Sequence, residues 1–311
     1  MKVSVQDPVE SSQDMAEALQ QGWLPIREVA RQTGVNAVTL RAWERRYGLI
    51  VPQRTPKGHR LFGAEHVQRI LAILTWLNRG VPVSQVKQLI DNAHTADASI
   101  ENEWHSLRHT LLQAITQLAE RRLDDTFNQA MALYPPRTLC EHLLLPLLKD
   151  LEQRWQGQFG AQMERVFFYS WLRSKFGARI YHNNRQLNGA PLLLINHSDL
   201  PLEPHLWLSA WLASSANCPV EVFDWPLPAG ELALAVGHLQ PRAVLLHSST
   251  SINWGALPKL LSGIDCPIGI AGPTVRIHHV ELSGLTRDIP ELFLAEDPLS
   301  AHQILILRGL L

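Results

Sequence analysis

The sequence predicts a multidomain chain: a small all-α module with a turn-rich insert, then a helical bundle, then an α/β domain on a five-stranded parallel sheet. Three observations carry this. Apolar residues recur at helical spacing up to about residue 183. From Pro191 onward, short fully apolar runs alternate with helical stretches, as in a parallel sheet covered on both faces. The 311 residues, 46% hydrophobic and 18% charged, suffice for two or three cores. The limits read off the pattern are a flexible N-terminal tail at 1–22, a first module at 23–92, a four-helix bundle at 100–185 and the α/β domain at 190–311. The small polar stretch AHTADASI (93–100) is the linker.

A first helix is expected over Pro25–Thr33, with Pro25 at its start and Gly34 as its stop. Asn36 caps a second helix that runs to Tyr47 and ends at Gly48. The turn of about three residues between them has helix-turn-helix length. Ile26, Val29, Ala30, Val35, Val38, Leu40 and Trp43 are the expected small core. The punctuated run Pro52–Phe62 suits a hairpin with Pro56, Lys57 and Gly58 near its tip. Helices follow over Ala64–Asn78, on the stripe Val67, Ile70, Leu71, Leu74 and Leu77, and over Pro82–Asn92. In the bundle, Trp104, Leu107, Leu111, Ile115 and Leu118 open a first helix, with others at 122–133, 136–156 and 161–182; Pro146 predicts a kink in the third. The strands are LLLIN (192–196), VEVFD (220–224), AVLLH (243–247), IGIAG (268–272) and LFLAE (292–296). Helices at 204–217, 229–239, 252–263, 274–281 and 299–310 complete a flavodoxin-like (Rossmann-like) domain.

Charge divides the chain unevenly. Residues 23–94 hold eleven Lys/Arg against four Asp/Glu, or +7, which leaves −8 on the rest of a chain whose total is −1. A basic module on an acidic body points to a polyanion partner. No apolar run reaches membrane-spanning length, and the polar start MKVSVQDPVESSQDMAEALQQG predicts no secretory signal, so a cytoplasmic, nucleoid-associated protein with no membrane partner is expected. Three widely spaced cysteines imply neither a disulfide framework nor a zinc finger. No phosphate loop, nucleophile elbow or paired-carboxylate motif appears, and the fourteen histidines show no ligand spacing; neither catalysis nor a metal is expected.

The stretch LPIREVARQTGVNAVTLRAWERRYGLIVPQRTPKGHRLF (24–62) resembles the MerR family of transcriptional regulators, through TLRAWERRYGL in the second helix and RTPKGHRLF in the hairpin. The resemblance implies a winged helix-turn-helix binding a near-palindromic promoter site as a dimer. It also implies RNA polymerase as a partner and promoter deformation as a means of control. The second helix places Asn36, Thr39, Arg41 and Arg45 toward the groove, with Arg46 and Tyr47 on the backbone; Arg54, Lys57, His59 and Arg60 form a phosphate-binding cluster in the wing. Glu44 is expected to pair with or orient a neighbouring arginine.

The helical bundle followed by an α/β domain, with LPLLKDLEQRW (145–155), resembles the MerR branch of light- and cobalamin-responsive repressors and a related branch of biofilm regulators. The cobalamin pattern is D/E-x-H-x-x-G after the first strand, its histidine ligating cobalt. Glu203-Pro-His205 keeps the first half, but Leu208 stands at the glycine position. A bundle Trp followed by Glu-His is also part of the pattern; Trp155 is present, but Met163-Glu164-Arg165 lacks the histidine. The turn after the fourth strand, Ala271-Gly272-Pro273, matches in part. The expectation is a degenerate sensor or oligomerisation module with no cofactor, its candidate pocket marked by Trp155, His197, His205, Ser248 and Gly272. The alternatives are an adenosylcobalamin-dependent light sensor using His205 or His197, and a regulator controlled by docking of a separate sensor protein.

Overall fold

The computed structural model describes residues 22–55, 58–91, 100–157, 159–198, 200–228, 230–250, 257–261, 263–289 and 291–311. The expected tail, apart from Gly22, and the linker at 93–99 lie outside them. The chain divides into two compact units, Met1–Gln153 and Arg154–Leu311.

In the first unit, β1 (Leu24–Pro25) leads into α1 (Ile26–Thr33). Gly34 stops α1 in the left-handed conformation (φ 72°), donating its N–H to Ala30 O. Asn36 caps α2 (Ala37–Ala42), its Oδ1 accepting from the Thr39 N–H at 2.9 Å. The helical path continues through a π-turn, Trp43–Tyr47, to left-handed Gly48. β2 (Gln53–Arg54) and β3 (Arg60–Phe62) pair antiparallel, and β3 also pairs with β1, so the hairpin is anchored at the start of the module. α3 (Ala64–Asn78) buries Ile70 and Leu77 of the expected stripe together with Ile73, while Val67 and Leu74 are half-buried and Leu71 faces solvent. α4 (Val83–Asp91) buries Val83 and Val86.

The core of this module differs from expectation at one pair. Val38, assigned to the core, is 59% exposed, whereas Thr39 is 0% exposed. The helix packs through Thr39, Leu40 and Trp43, and a 3.6-residue period then turns position 38 outward.

α5 (Ile100–Thr116), α6 (Glu120–Leu133), α7 (Pro136–Leu139) and α8 (Leu145–Trp155) follow. Leu118 ends the α5 stripe, half-exposed in a left-handed turn (φ 51°). The expected Pro146 kink takes the form of a second π-turn, Cys140–Leu144, just ahead of the proline. Pro146 has no N–H for the His142 carbonyl four residues back, and its ring crowds that carbonyl. The wider turn, in which Leu145 N–H reaches Cys140 O, relieves both. Two indoles tie these helices to the first module: Trp43 Nε1 donates to Leu133 O (2.8 Å) and Trp104 Nε1 to Gly80 O (2.6 Å).

In the second unit, α9 (Ala161–Asn184) precedes β4 (Leu192–Asn196), β5 (Val220–Phe223), β6 (Ala243–His247), β7 (Ile268–Ala271) and β8 (Leu292–Ala295). All pair parallel in the order β5-β4-β6-β7-β8, the flavodoxin-like arrangement. The intervening helices are α10 (Pro204–Ser215), α11 (Leu232–Leu239), α12 (Leu257–Leu261), α13 (Pro273–Ile277) and α14 (His279–Asp288), with α15 (Pro298–Leu307) last. The helix expected at 274–281 is two, broken at His278. α10 is buried nearly all round, packed by α9, α15 and the sheet, which explains its uniformly apolar sequence. Among the described residues no helix is long and apolar enough to cross a membrane.

Candidate nucleic-acid interface

The outward face of α2 and its π-turn carries Val38, Arg41 and Arg45, with Ala37 and Ala42 partly covered between them; Asn36 and Arg46 are exposed at its two ends. Arg41 and Arg45 lie four residues apart, so their guanidinium groups leave one side of the helix. Two forked donors on a helix thin enough for the major groove meet the geometric needs of base-edge and phosphate contacts. Thr39 does not belong to this face: its buried hydroxyl lies beneath the helix, without a hydrogen-bond partner.

Glu44 joins the helix to the wing. Its two carboxylate oxygens accept from Arg54 Nη2 (2.6 Å) and Arg60 Nε (2.5 Å), one arginine from each hairpin strand. Burial raises the Glu44 pKa, but the hydrogen bonds from Arg60 and Arg54 outweigh it and hold the carboxyl below the ordinary carboxylate range. Arg60, with 19% of its side chain exposed, is mainly a strut, while Arg54 keeps 49% and still offers N–H groups outward. The partners of Glu44 are wing residues, not arginines of its own helix. His59 is exposed at the tip, where its N–H donates to Thr55 Oγ1. Lys57 lies outside the described residues. Tyr47 is half-buried, and burial with the nearby Glu103 carboxylate raises its phenol above the usual range. Half-burial makes its hydroxyl less available to a phosphate than the exposed arginines.

In the second unit, His197, His205, Ser248 and Gly272 come together at the carboxyl edge of the sheet, while Trp155 is engaged elsewhere. His197 N–H donates to His247 O (2.7 Å). Ser248 turns its hydroxyl into its own loop, donating to Thr250 O. Gly272 has φ 109°, and a Cβ there would stand 2.4 Å from Ser248 O, so the two loops touch backbone to backbone. His205 Nδ1 is shut from solvent without a partner, and so are both ring nitrogens of His247, at 0% exposure. Burial pushes His205 down to about 4, with nearby Asp297 pulling the other way. Burial first, then proximity to His205, pushes His247 down to about 3. His247 and Asp297 were not among the expected site residues. The available signal was a polar residue closing an otherwise apolar strand.

The space that a glycine at position 208 would leave is filled. Leu208 is 0% exposed, and the Trp207 ring lies 3.7 Å from where a Cβ on Gly177 of α9 would stand. Glu203 caps α10 by accepting from the His205 N–H. Trp155 donates to Glu164 Oε2 (3.1 Å), Arg154 binds the same carboxylate through two 2.9 Å contacts, and the Arg165 guanidinium lies 5.2 Å from the centre of the indole ring. Among the described residues no three of His, Cys, Asp and Glu converge to hold a metal ion.

Residues 24–93 match the family model described as MerR HTH family regulatory protein, and residues 107–180 match a B12 binding domain. The chain is 31% identical over 229 residues to the HTH-type transcriptional regulator MlrA of Escherichia coli (strain K12), covering 74% of this chain and 86% of that protein. It is 33% identical over 198 residues to MlrA of Salmonella typhimurium (strain SL1344), covering 63% and 78%. It is 24% identical over 275 residues to the HTH-type transcriptional repressor CarH of Myxococcus xanthus, covering 81% and 90%. With its first module matched to the family and an E. coli relative matched along most of its length, the chain belongs to the MerR family: it is a DNA-binding transcriptional regulator, not an enzyme.

Proposed function

We propose that residues 23–92 bind a near-palindromic promoter site as half of a dimer and act with RNA polymerase on the same duplex in the cytoplasm. Asn36, Arg41, Arg45 and Arg46 would meet the major groove and its phosphates, with Arg54, Lys57 and His59 reaching phosphates from the wing. Arg60, Tyr47 and Thr39 would hold this surface in shape. The observation that carries the reading is the exposed Arg41–Arg45 face beside a wing pinned to it through Glu44. Arg41→Ala or Arg45→Ala is expected to weaken binding of the full chain to a duplex it has itself selected by about 30-fold, or ~2 kcal/mol. Unchanged affinity in both variants, at matched salt, would remove that face from the interface.

The remaining segments, taken as bundle 100–185 and α/β domain 190–311, would serve as a sensor or oligomerisation module. The residues present do not fit a cobalamin. Buried Leu208 stands where the pattern has a glycine, Trp207 is packed beside it, and Trp155 is engaged by Glu164 and Arg165. Purified chain mixed with adenosylcobalamin and desalted, in the dark or after illumination, is expected to stay colourless. A retained chromophore that disappears in His205→Ala would restore the light-sensing alternative.

A further inference from the structure

Val38 is 59% exposed in the middle of a cationic surface, with Arg41 and Arg45 on its own side of the helix. Packing does not account for it, because Thr39, Leu40 and Trp43 make the buried side. Helix propensity does not account for it either, since a β-branched residue is a poorer helix former than alanine. It is the second residue of α2, and the first turn of a recognition helix is the part that meets base edges. No other large apolar side chain is exposed between Asn36 and Tyr47.

We propose that Val38 selects sequence by packing on the C5-methyl of a thymine in the major groove. The proposal rests on the reading above that the 37–45 face enters that groove, and it adds the base that the face prefers. A branched hydrocarbon neither donates nor accepts a hydrogen bond. Of the features that base pairs display in the major groove, the thymine methyl is the apolar one. Arg41 lies three residues on, about 4.5 Å along the helix axis. The thymine therefore falls about one or two base steps from the base that Arg41 reads, given a spacing of roughly 3.4 Å per step. The arginines supply affinity through charge, and Val38 adds discrimination that salt does not screen.

The test uses the full chain and duplexes that it selects from a randomised library. Each thymine of the selected half-site is replaced singly by deoxyuracil, which pairs identically but lacks the methyl. Wild type is expected to lose about fourfold in affinity at one thymine per half-site, the value of one buried methyl. Val38→Ala is expected to bind the thymine duplex about as weakly as wild type binds the uracil one, and to be indifferent to the replacement. Equal thermal midpoints for the two proteins establish that the variant is folded. The proposal is overturned if no single replacement weakens wild type, or if Val38→Ala keeps the same sensitivity. A chain that selects no sequence, with Arg41→Ala binding duplex DNA as well as wild type, would bring down the groove reading and this proposal with it.

Discussion

Trp43→Ala is expected to lower the stability of the first unit by about 4–6 kcal/mol. The indole is fully buried among the residues that support α2. Its Nε1 donates to Leu133 O at 2.8 Å, across ninety residues of sequence. Truncation leaves a cavity costing about 3–5 kcal/mol for a large aromatic, and also an orphaned carbonyl costing about 1 kcal/mol more. Against a typical total of about 5–15 kcal/mol, that loss is large enough to unfold a substantial fraction of the chain. Trp43→Phe keeps most of the volume and removes the hydrogen bond, so about 1–2 kcal/mol is expected for it. Amide exchange of residues 26–47 in denaturant reports this unit specifically. A loss under about 1 kcal/mol for the alanine variant would mean that the indole is not what anchors α2. DNA affinity should fall with the anchor, because Arg41 and Arg45 project from the helix it holds.

Acidification from pH 7.5 to 5 is expected to destabilise the second unit through His205 and His247. Both are held neutral by burial, down to about 4 and about 3, against 6.5 for an ordinary imidazole. The sign follows from proton counting. Between pH 6.5 and 4 the unfolded chain binds protons that the folded one refuses, so stability is complete above 6.5 and is lost as pH falls. By pH 5 the loss is roughly 2 kcal/mol for each ring, less where the two interact. The depressed carboxyls of Glu44 and Glu164 act in a lower window, since their stabilisation is lost only below 4.5. The thermal midpoint of the α/β unit, followed at both pH values, is the measurement, and His247→Leu should flatten its pH dependence by about half. A midpoint that does not move between pH 7.5 and 5 would show that the rings are not buried neutral.

Local stereochemistry made much of the fold legible. Gly34 and Gly48 take the left-handed conformations that end their helices, Asn36 caps α2, and Pro204, Pro273 and Pro298 open helices where a missing N–H costs nothing. The five apolar runs became strands within one residue of their expected ends, because each is a short apolar run bounded by turn residues. These features depend on a few neighbouring residues, and so they survive reading without a partner. Of the candidate DNA-contact residues, Asn36, Arg41, Arg45, Arg46, Arg54 and His59 are exposed, whereas Thr39 is buried.

Other features depend on residues far apart in sequence. Val38 and Thr39 are both branched and adjacent; which one turns inward depends on what the helix rests on, and that includes Leu133. The partners of Glu44 stand ten and sixteen residues away, brought near by the hairpin. His205 and His247 meet only because β4 and β6 are hydrogen-bonded neighbours, although β5 lies between them in sequence. The missing glycine at Leu208 was visible in the sequence, but that its side chain is completely buried was not. Short-range preferences are carried by the residues that express them. Burial and pairing are properties of two distant segments together, and they exist only once the chain has folded.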